Sequence, residues 1–262
     1  MELFANLPLI TLLSLSFFAL LAGFINALVG GGGLIQLPAL LINLPKTELA
    51  TLFGTNKIAA LSGTSISAYQ YSRKIKFNIS LLFIISLSAF VASYLGAKAV
   101  THIPSDILKP VVFFLLIIIA IYTYLKKELG SKSNPLISLK RKMIMGALLA
   151  LVVGFYDGFF GPGTGSFFVL GFVVLLGFDF LEASAYAKVI NAITNISALV
   201  VFISHGNYLL EVALLMALFN VIGSFIGTHL AFSKGNKFIR KIFIGVVFLM
   251  IVRYGYDLYL NF

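Results

Sequence analysis

The sequence predicts an all-α polytopic membrane protein made of two inverted repeats of about five helical segments each, two of those segments being short, broken half-helices. Three observations predict it. Of 262 residues, 60% are apolar and 11% charged, against ~45–50% and ~25% in an average soluble chain. So few charges could not cover a water-soluble domain of this size. The apolar residues come in long blocks, and the mean hydropathy is +1.05. Finally, the chain shifted by 131 residues, half its length, matches itself without a gap.

Composition also excludes several classes. The net charge of +10, from 19 Lys+Arg against 9 Asp+Glu, informs topology in such a chain, since basic residues collect in cytoplasmic loops. It therefore does not argue for a nucleic-acid partner. The absence of cysteine removes disulfides, thiol chemistry and Cys-ligated metal. No basic stretch precedes the first apolar block, so that block reads as a retained span and not a cleaved signal.

A helix needs about 20 residues to cross a bilayer. Blocks of that length fall near 9–29, 50–72, 78–100, 106–125, 143–160, 183–204, 208–231 and 239–258. Two shorter blocks, near 34–43 and 166–176, directly follow glycine clusters. At 1.5 Å per residue neither crosses a ~30 Å core alone, so both read as arms of broken helices.

The repeat aligns Gly23 with Gly154, Asn26 with Asp157, Gly30 and Gly32 with Gly161 and Gly163, and Lys57 with Lys188. Further on, Ser93 meets Ser224, Gly96 meets Gly227 and Lys109 meets Arg240. Residues 1–131 and 132–262 are thus expected to be two copies of one unit. Their orientation follows from loop charge. The loop at 71–78 carries Arg73, Lys74 and Lys76, while its counterpart at 202–209 has no Lys or Arg. The loop at 101–109 is balanced by Asp106 and Lys109, while its counterpart at 232–241 carries Lys234, Lys237, Arg240 and Lys241. The linker at 126–142 is the most basic, with Lys126, Lys127, Lys132, Lys140, Arg141 and Lys142. Equivalent loops then lie on opposite sides, which requires an odd number of crossings per copy, with the linker inside and both termini outside. The alternative is four spans per copy, the short segments dipping in and out on one side.

The glycine clusters are the first chemical candidates: Gly30, Gly31, Gly32 and Gly33 in one copy, and Gly161, Pro162, Gly163, Thr164 and Gly165 in the other. A backbone break at membrane depth is tolerated only where protein or a watery cavity satisfies it. The short helices start just after the glycines, so their positive ends face the break and attract anions. Paired interrupted segments in two inverted halves point to a transporter binding site. Close packing through small residues is the plainer explanation. No nucleotide-binding GxxxxGK[ST] run is present.

Lys57 and Lys188 lie within spans, where a lysine costs roughly 2.5–3.5 kcal/mol. Helical spacing puts Lys188, Asn191 and Asn195 on one stripe and Lys57 with Thr64 on another, with Asn56 on an adjoining face. These stripes could offer ammonium and amide donors to a buried anion. Alternatively, each lysine pairs with a carboxylate such as Asp157 or snorkels outward.

Asp157, just before the second glycine cluster, reads either as a proton carrier or as a cap on the following helix. Asp179, Glu182 and Glu48 precede helices and read as first-turn charges. Thr164 and Ser166 are candidate hydroxyl donors, although such residues more often bond their own helix. His102, His205 and His229 lack metal-ligand spacing and sit near span ends. Neither a metal site nor a cofactor is expected.

The segments GFINALVGGGGLIQLPAL (23–40), FGTNK (53–57), GFYDGFFGPGTGSFF (154–168) and AKVINAITNISAL (187–199) resemble the TauE/SafE family of sulfite-exporter-like membrane transporters across essentially the whole chain. That resemblance implies transport of sulfur-containing or related organic anions across the bacterial cytoplasmic membrane. By the same resemblance, Asn26, Gly30–Gly33, Asn56, Lys57, Asp157, Gly161–Gly165, Lys188 and Asn191 handle substrate. Family members often carry an acid where this chain has Asn26. If protons pass through that position, only Asp157 serves here.

The expected function is therefore secondary transport of a small anion, of sulfite or sulfonate type, with Asp157 as the proton-linked group. A passive anion channel is the alternative. An intramembrane aspartyl protease would need a second carboxylate at depth, and the chain is not read as an enzyme. Expected partners are the small anion and the lipid bilayer, with a homo-oligomer left open.

Overall fold

The computed structural model describes residues 7–100 and 137–260, with side chains in the final helix as far as residue 245 except 240 and 243. The expected span at 106–125 lies outside the described residues, as do His102, Asp106, Lys109, Lys126, Lys127, Lys132 and the side chain of Arg240.

The described residues are helical, in the order α1 (Leu9–Val29), α2 (Gly33–Asn43), α3 (Leu49–Ser72), α4 (Ile79–Ala99), α5 (Leu139–Phe159), α6 (Thr164–Leu176), α7 (Phe180–Ser204) and α8 (Leu210–Leu260). By length and apolarity, α1, α4, α5, α7 and residues Leu210–Ile239 of α8 are able to cross a membrane. Helix α3 is as long but more polar, carrying Thr55, Asn56, Lys57, Thr64 and Ser67 on buried positions. Those residues are covered by α7, α8, α2 and α1, so α3 lies among other helices instead of facing lipid. One boundary differs from expectation. The spans at 208–231 and 239–258 form one helical run, interrupted at Gly235, whose φ of 70° and ψ of −170° leave helical geometry. Glycine alone adopts that conformation cheaply, so the chain bends there without a loop.

Helix ends follow local chemistry. Asn78 caps α4 by accepting from Leu81 N–H at 3.0 Å, and Asp179 caps α7 by accepting from Glu182 N–H at 2.8 Å. Helix α1 stops at Gly30 in the left-handed region (φ 83°), and α6 starts after Gly163 at φ 84°. Helices α2 and α6 are 11 and 13 residues long, about 16 and 20 Å, as the short blocks predict.

Lipid is as apolar as the helices, so close approach and inter-helix hydrogen bonds hold them together. The two tightest seams are α1 against α8 and α4 against α5. They are equivalent under the 131-residue shift, and so are their contacts. A Cβ on Gly23 would collide with the Asn220 backbone, and one on Gly154 with that of Ala89. Likewise a Cβ on Gly227 would meet Phe24, and one on Gly96 would meet Phe155. Ser224 Oγ donates across the first seam to Gly23 O at 3.2 Å, and Ser93 Oγ ties α4 to α7 by donating to Thr194 O at 2.9 Å. Bonds of this kind average about 0.6 kcal/mol each, so the fold rests on many of them. Leu9, Ile10, Phe17, Phe83, Val152, Leu218 and Phe225 remain exposed. On a soluble protein this surface would aggregate; here it meets acyl chains.

Candidate functional site

The two glycine breaks lie against each other. A Cβ on Gly30 would fall 2.1 Å from the carbonyl carbon of Gly165, and one on Gly165 would fall 2.5 Å from Cα of Gly30. Gly33 similarly approaches Pro162 Cα. Only residues without side chains permit this backbone-on-backbone contact between α1–α2 and α5–α6. Hydroxyls fasten the junction: Ser166 Oγ donates to Val29 O at 2.9 Å, and Thr164 Oγ1 to Gly161 O at 2.6 Å. Tyr156 Oη reaches Pro162 O at 2.7 Å. Thr164 and Ser166 are thus engaged with carbonyl groups in this structure, and Pro162, Gly163 and Gly31 shape the breaks from outside the cavity described next.

Beside the junction is a cavity of about 30 Å³ lined by Ala22, Asn26, Gly30, Gly32, Gly33, Gln36, Asn56, Lys57, Ala60, Asp157, Gly161, Gly165, Asn191, Asn195 and Asn220. A buried water needs at least ~10–15 Å³, so the space suits one or two waters. Its polar side chains are six amides, one cation and one carboxylate, set among glycine and alanine.

Those two charges meet. Lys57 Nζ lies 2.7 Å from Asp157 Oδ2, with side chains 4% and 2% exposed. Of the two sequence readings for Lys57, a free ammonium or a pair with Asp157, the structure shows the pair, with α3 and α5 bringing the lysine onto a carboxylate 100 positions further along the chain. Gly161, at φ 93°, makes room, because a Cβ there would sit 3.3 Å from Lys57 Nζ and 3.6 Å from Asp157 Oδ1. The Asp157 carboxylate therefore faces a lysine, and capping is not what occupies its Oδ2.

Lys188 is different. It is 0% exposed, and its Nζ has no hydrogen-bond partner among the described residues. It also does not line the cavity, although Asn191 and Asn195, one and two turns further along α7, do. The asparagines bond to each other, Asn195 Nδ2 donating to Asn191 Oδ1 at 3.3 Å. Asn26 spends its Nδ2 on Thr64 Oγ1 at 2.9 Å.

Two polar cavity residues were not expected from the sequence, Gln36 and Asn220. Asn220 Nδ2 donates to Gln36 Oε1 at 2.5 Å, and Gln36 Nε2 to Asn56 O at 3.5 Å. Asn56 Oδ1 and Asn220 Oδ1 are buried without partners among the described residues, so acceptors are left for a guest. His205 and His229 are exposed, in keeping with their place near helix ends.

A family model described as "Sulfite exporter TauE/SafE" matches residues 15–254. The chain belongs to that family. Among its relatives, a probable membrane transporter protein ORF9 of Sinorhizobium sp. is 40% identical over 236 residues, covering 90% of this chain and 88% of the relative. The probable membrane transporter protein YfcA of Escherichia coli K12 is 36% identical over 271 aligned residues, covering 98% and 95%. A more distant one, YdhB of Bacillus subtilis, is 26% identical over 214 residues, covering 79% and 85%. No solved structure matches. The TauE/SafE chain is thus a multi-pass membrane transporter of the bacterial cytoplasmic membrane and not an enzyme.

Proposed function

We propose that this TauE/SafE member is a secondary transporter of small sulfur-containing or organic anions of the sulfite or sulfonate type. It is built from two inverted halves, residues 1–131 and 132–262, that rock about the paired glycine breaks. The observation that carries this reading is the amide-lined cavity at the junction of both breaks, with Lys57 in its wall and partnerless Lys188 one turn from Asn191. Glycine backbone, asparagine amides and lysine are the groups that replace an anion's hydration shell. The contact pattern repeated at a 131-residue offset supports a two-unit architecture.

Asp157 is the proton-linked group. Its carboxylate holds Lys57 in the closed arrangement, and a proton on it releases that lysine. The cavity's small size favours a gated site over an open anion pore, which would need a continuous passage. Proteoliposomes loaded with sulfite or a sulfonate test this. Flux that saturates with substrate and follows an imposed pH gradient supports the transporter; linear flux indifferent to the gradient supports a passive channel.

A further inference from the structure

The two repeat-related lysine sites differ by one carboxylate. Lys57 on α3 holds Asp157 on α5, and the half-chain shift maps this pair onto Lys188 on α7 and Asn26 on α1. The preceding helical turns also meet, Ser184 being the counterpart of Phe53, although its partner lies one position before Val29, the counterpart of Phe160. One turn before Lys57, Phe53 packs edge-on against Phe160 at 6.0 Å, just beyond Asp157. One turn before Lys188, Ser184 Oγ donates to Leu28 O at 3.4 Å, just beyond Asn26. Where the first pair has a carboxylate, the second has only an amide, already bonded to Thr64. Lys188 is left as a buried cation with an unpartnered Nζ. Such a group is costly at membrane depth unless a ligand completes it.

We propose that Lys188 is the seat of the transported anion, the substrate's oxyanion group taking against Lys188 the place that Asp157 takes against Lys57. This deepens the transporter reading above and rests on it. The lysine–carboxylate pair on the other side is then the protein's own template of the bound state. It defines the guest as a singly charged oxyanion (a carboxylate, a sulfonate or hydrogen sulfite), because one positive charge is vacant, Asn191 one turn along α7 is neutral, and so is Asn26, the repeat counterpart of Asp157. Seating it requires the cavity to extend by one helical turn, from Asn191 to Lys188. Proton and anion would then ride on opposite halves, the proton on Asp157 and the anion on Lys188.

The test is calorimetric titration of the full chain in nanodiscs with methanesulfonate and, separately, sulfate. Wild type is expected to bind methanesulfonate at least tenfold more tightly than sulfate; equal or tighter sulfate binding overturns the monoanion assignment. Lys188→Gln is expected to weaken methanesulfonate at least tenfold, and wild-type affinity in that variant overturns the seat. Asn26→Asp gives Lys188 a carboxylate of its own, so it is expected to raise the thermal midpoint while weakening methanesulfonate similarly. Should Lys188→Gln fail to fold, undiminished binding by Asn26→Asp overturns the proposal by itself. A wild type that neither binds nor transports any of these anions instead defeats the transporter reading on which the proposal stands.

Discussion

Lys57 Nζ lies 2.7 Å from Asp157 Oδ2, so the cation of α3 is neutralised by the carboxylate of α5. Both side chains are buried, so bulk water compensates neither. Removing one partner leaves an uncompensated charge, whereas removing both leaves only a volume change. Lys57→Met or Asp157→Leu alone is expected to lower stability by about 3–5 kcal/mol. The double variant should recover most of that loss. Denaturation of the detergent-solubilised protein, compared across the three variants, checks it.

The glycine junction tolerates no side chain. Gly30→Ala would put a methyl into the Gly165 backbone and force φ 83° on a residue that disfavours it. Left-handed strain alone costs about 1–3 kcal/mol. Gly30→Ala and Gly165→Ala are expected to fold poorly or lose transport, whereas alanine at Gly245, where a Cβ meets nothing within 4 Å among the described residues, should be silent. Yield of folded protein and flux in vesicles give the comparison.

Gln36 and Asn220 join α2 to α8 at the cavity wall. Asn220→Leu removes a buried donor and strands Gln36 Oε1, a change that costs about 1–3 kcal/mol. Substrate affinity should fall by roughly tenfold or more with the helices intact, as read by binding together with circular dichroism.

Much of this was legible in the chain. Apolar block lengths placed α1, α4, α5 and α7 to within a few residues, because lipid fixes how long a span must be. The glycine clusters announced the breaks, since nothing else in an apolar sequence calls for four adjacent residues without side chains. The Lys57–Asp157 pair was legible only as the alternative to a free ammonium. The repeat aligns Lys57 with Lys188 and Asp157 with Asn26, so it pairs like with like, while the contact joins unlike positions, a lysine of α3 and a carboxylate of α5. Gln36 and Asn220 escaped for a related reason: their repeat equivalents are Phe167 and Ala89, and no symmetry marks them. Their signal was simply an amide inside an apolar span.

Loop charge makes a prediction about orientation. With the basic loop at 71–78 and the linker at 126–142 inside, both termini lie outside. A reporter fused after Phe262 is expected to be active only on the external face. A cytoplasmic signal would replace the inverted arrangement with four crossings per half.

The most direct measurement is sulfite and methanesulfonate flux in proteoliposomes of wild type, Lys57→Ala and Lys188→Ala. Saturable wild-type flux, reduced at least tenfold in Lys188→Ala and uncoupled from the pH gradient in Lys57→Ala, is the predicted result. Unchanged, gradient-coupled flux in both variants would contradict a lysine-built anion site.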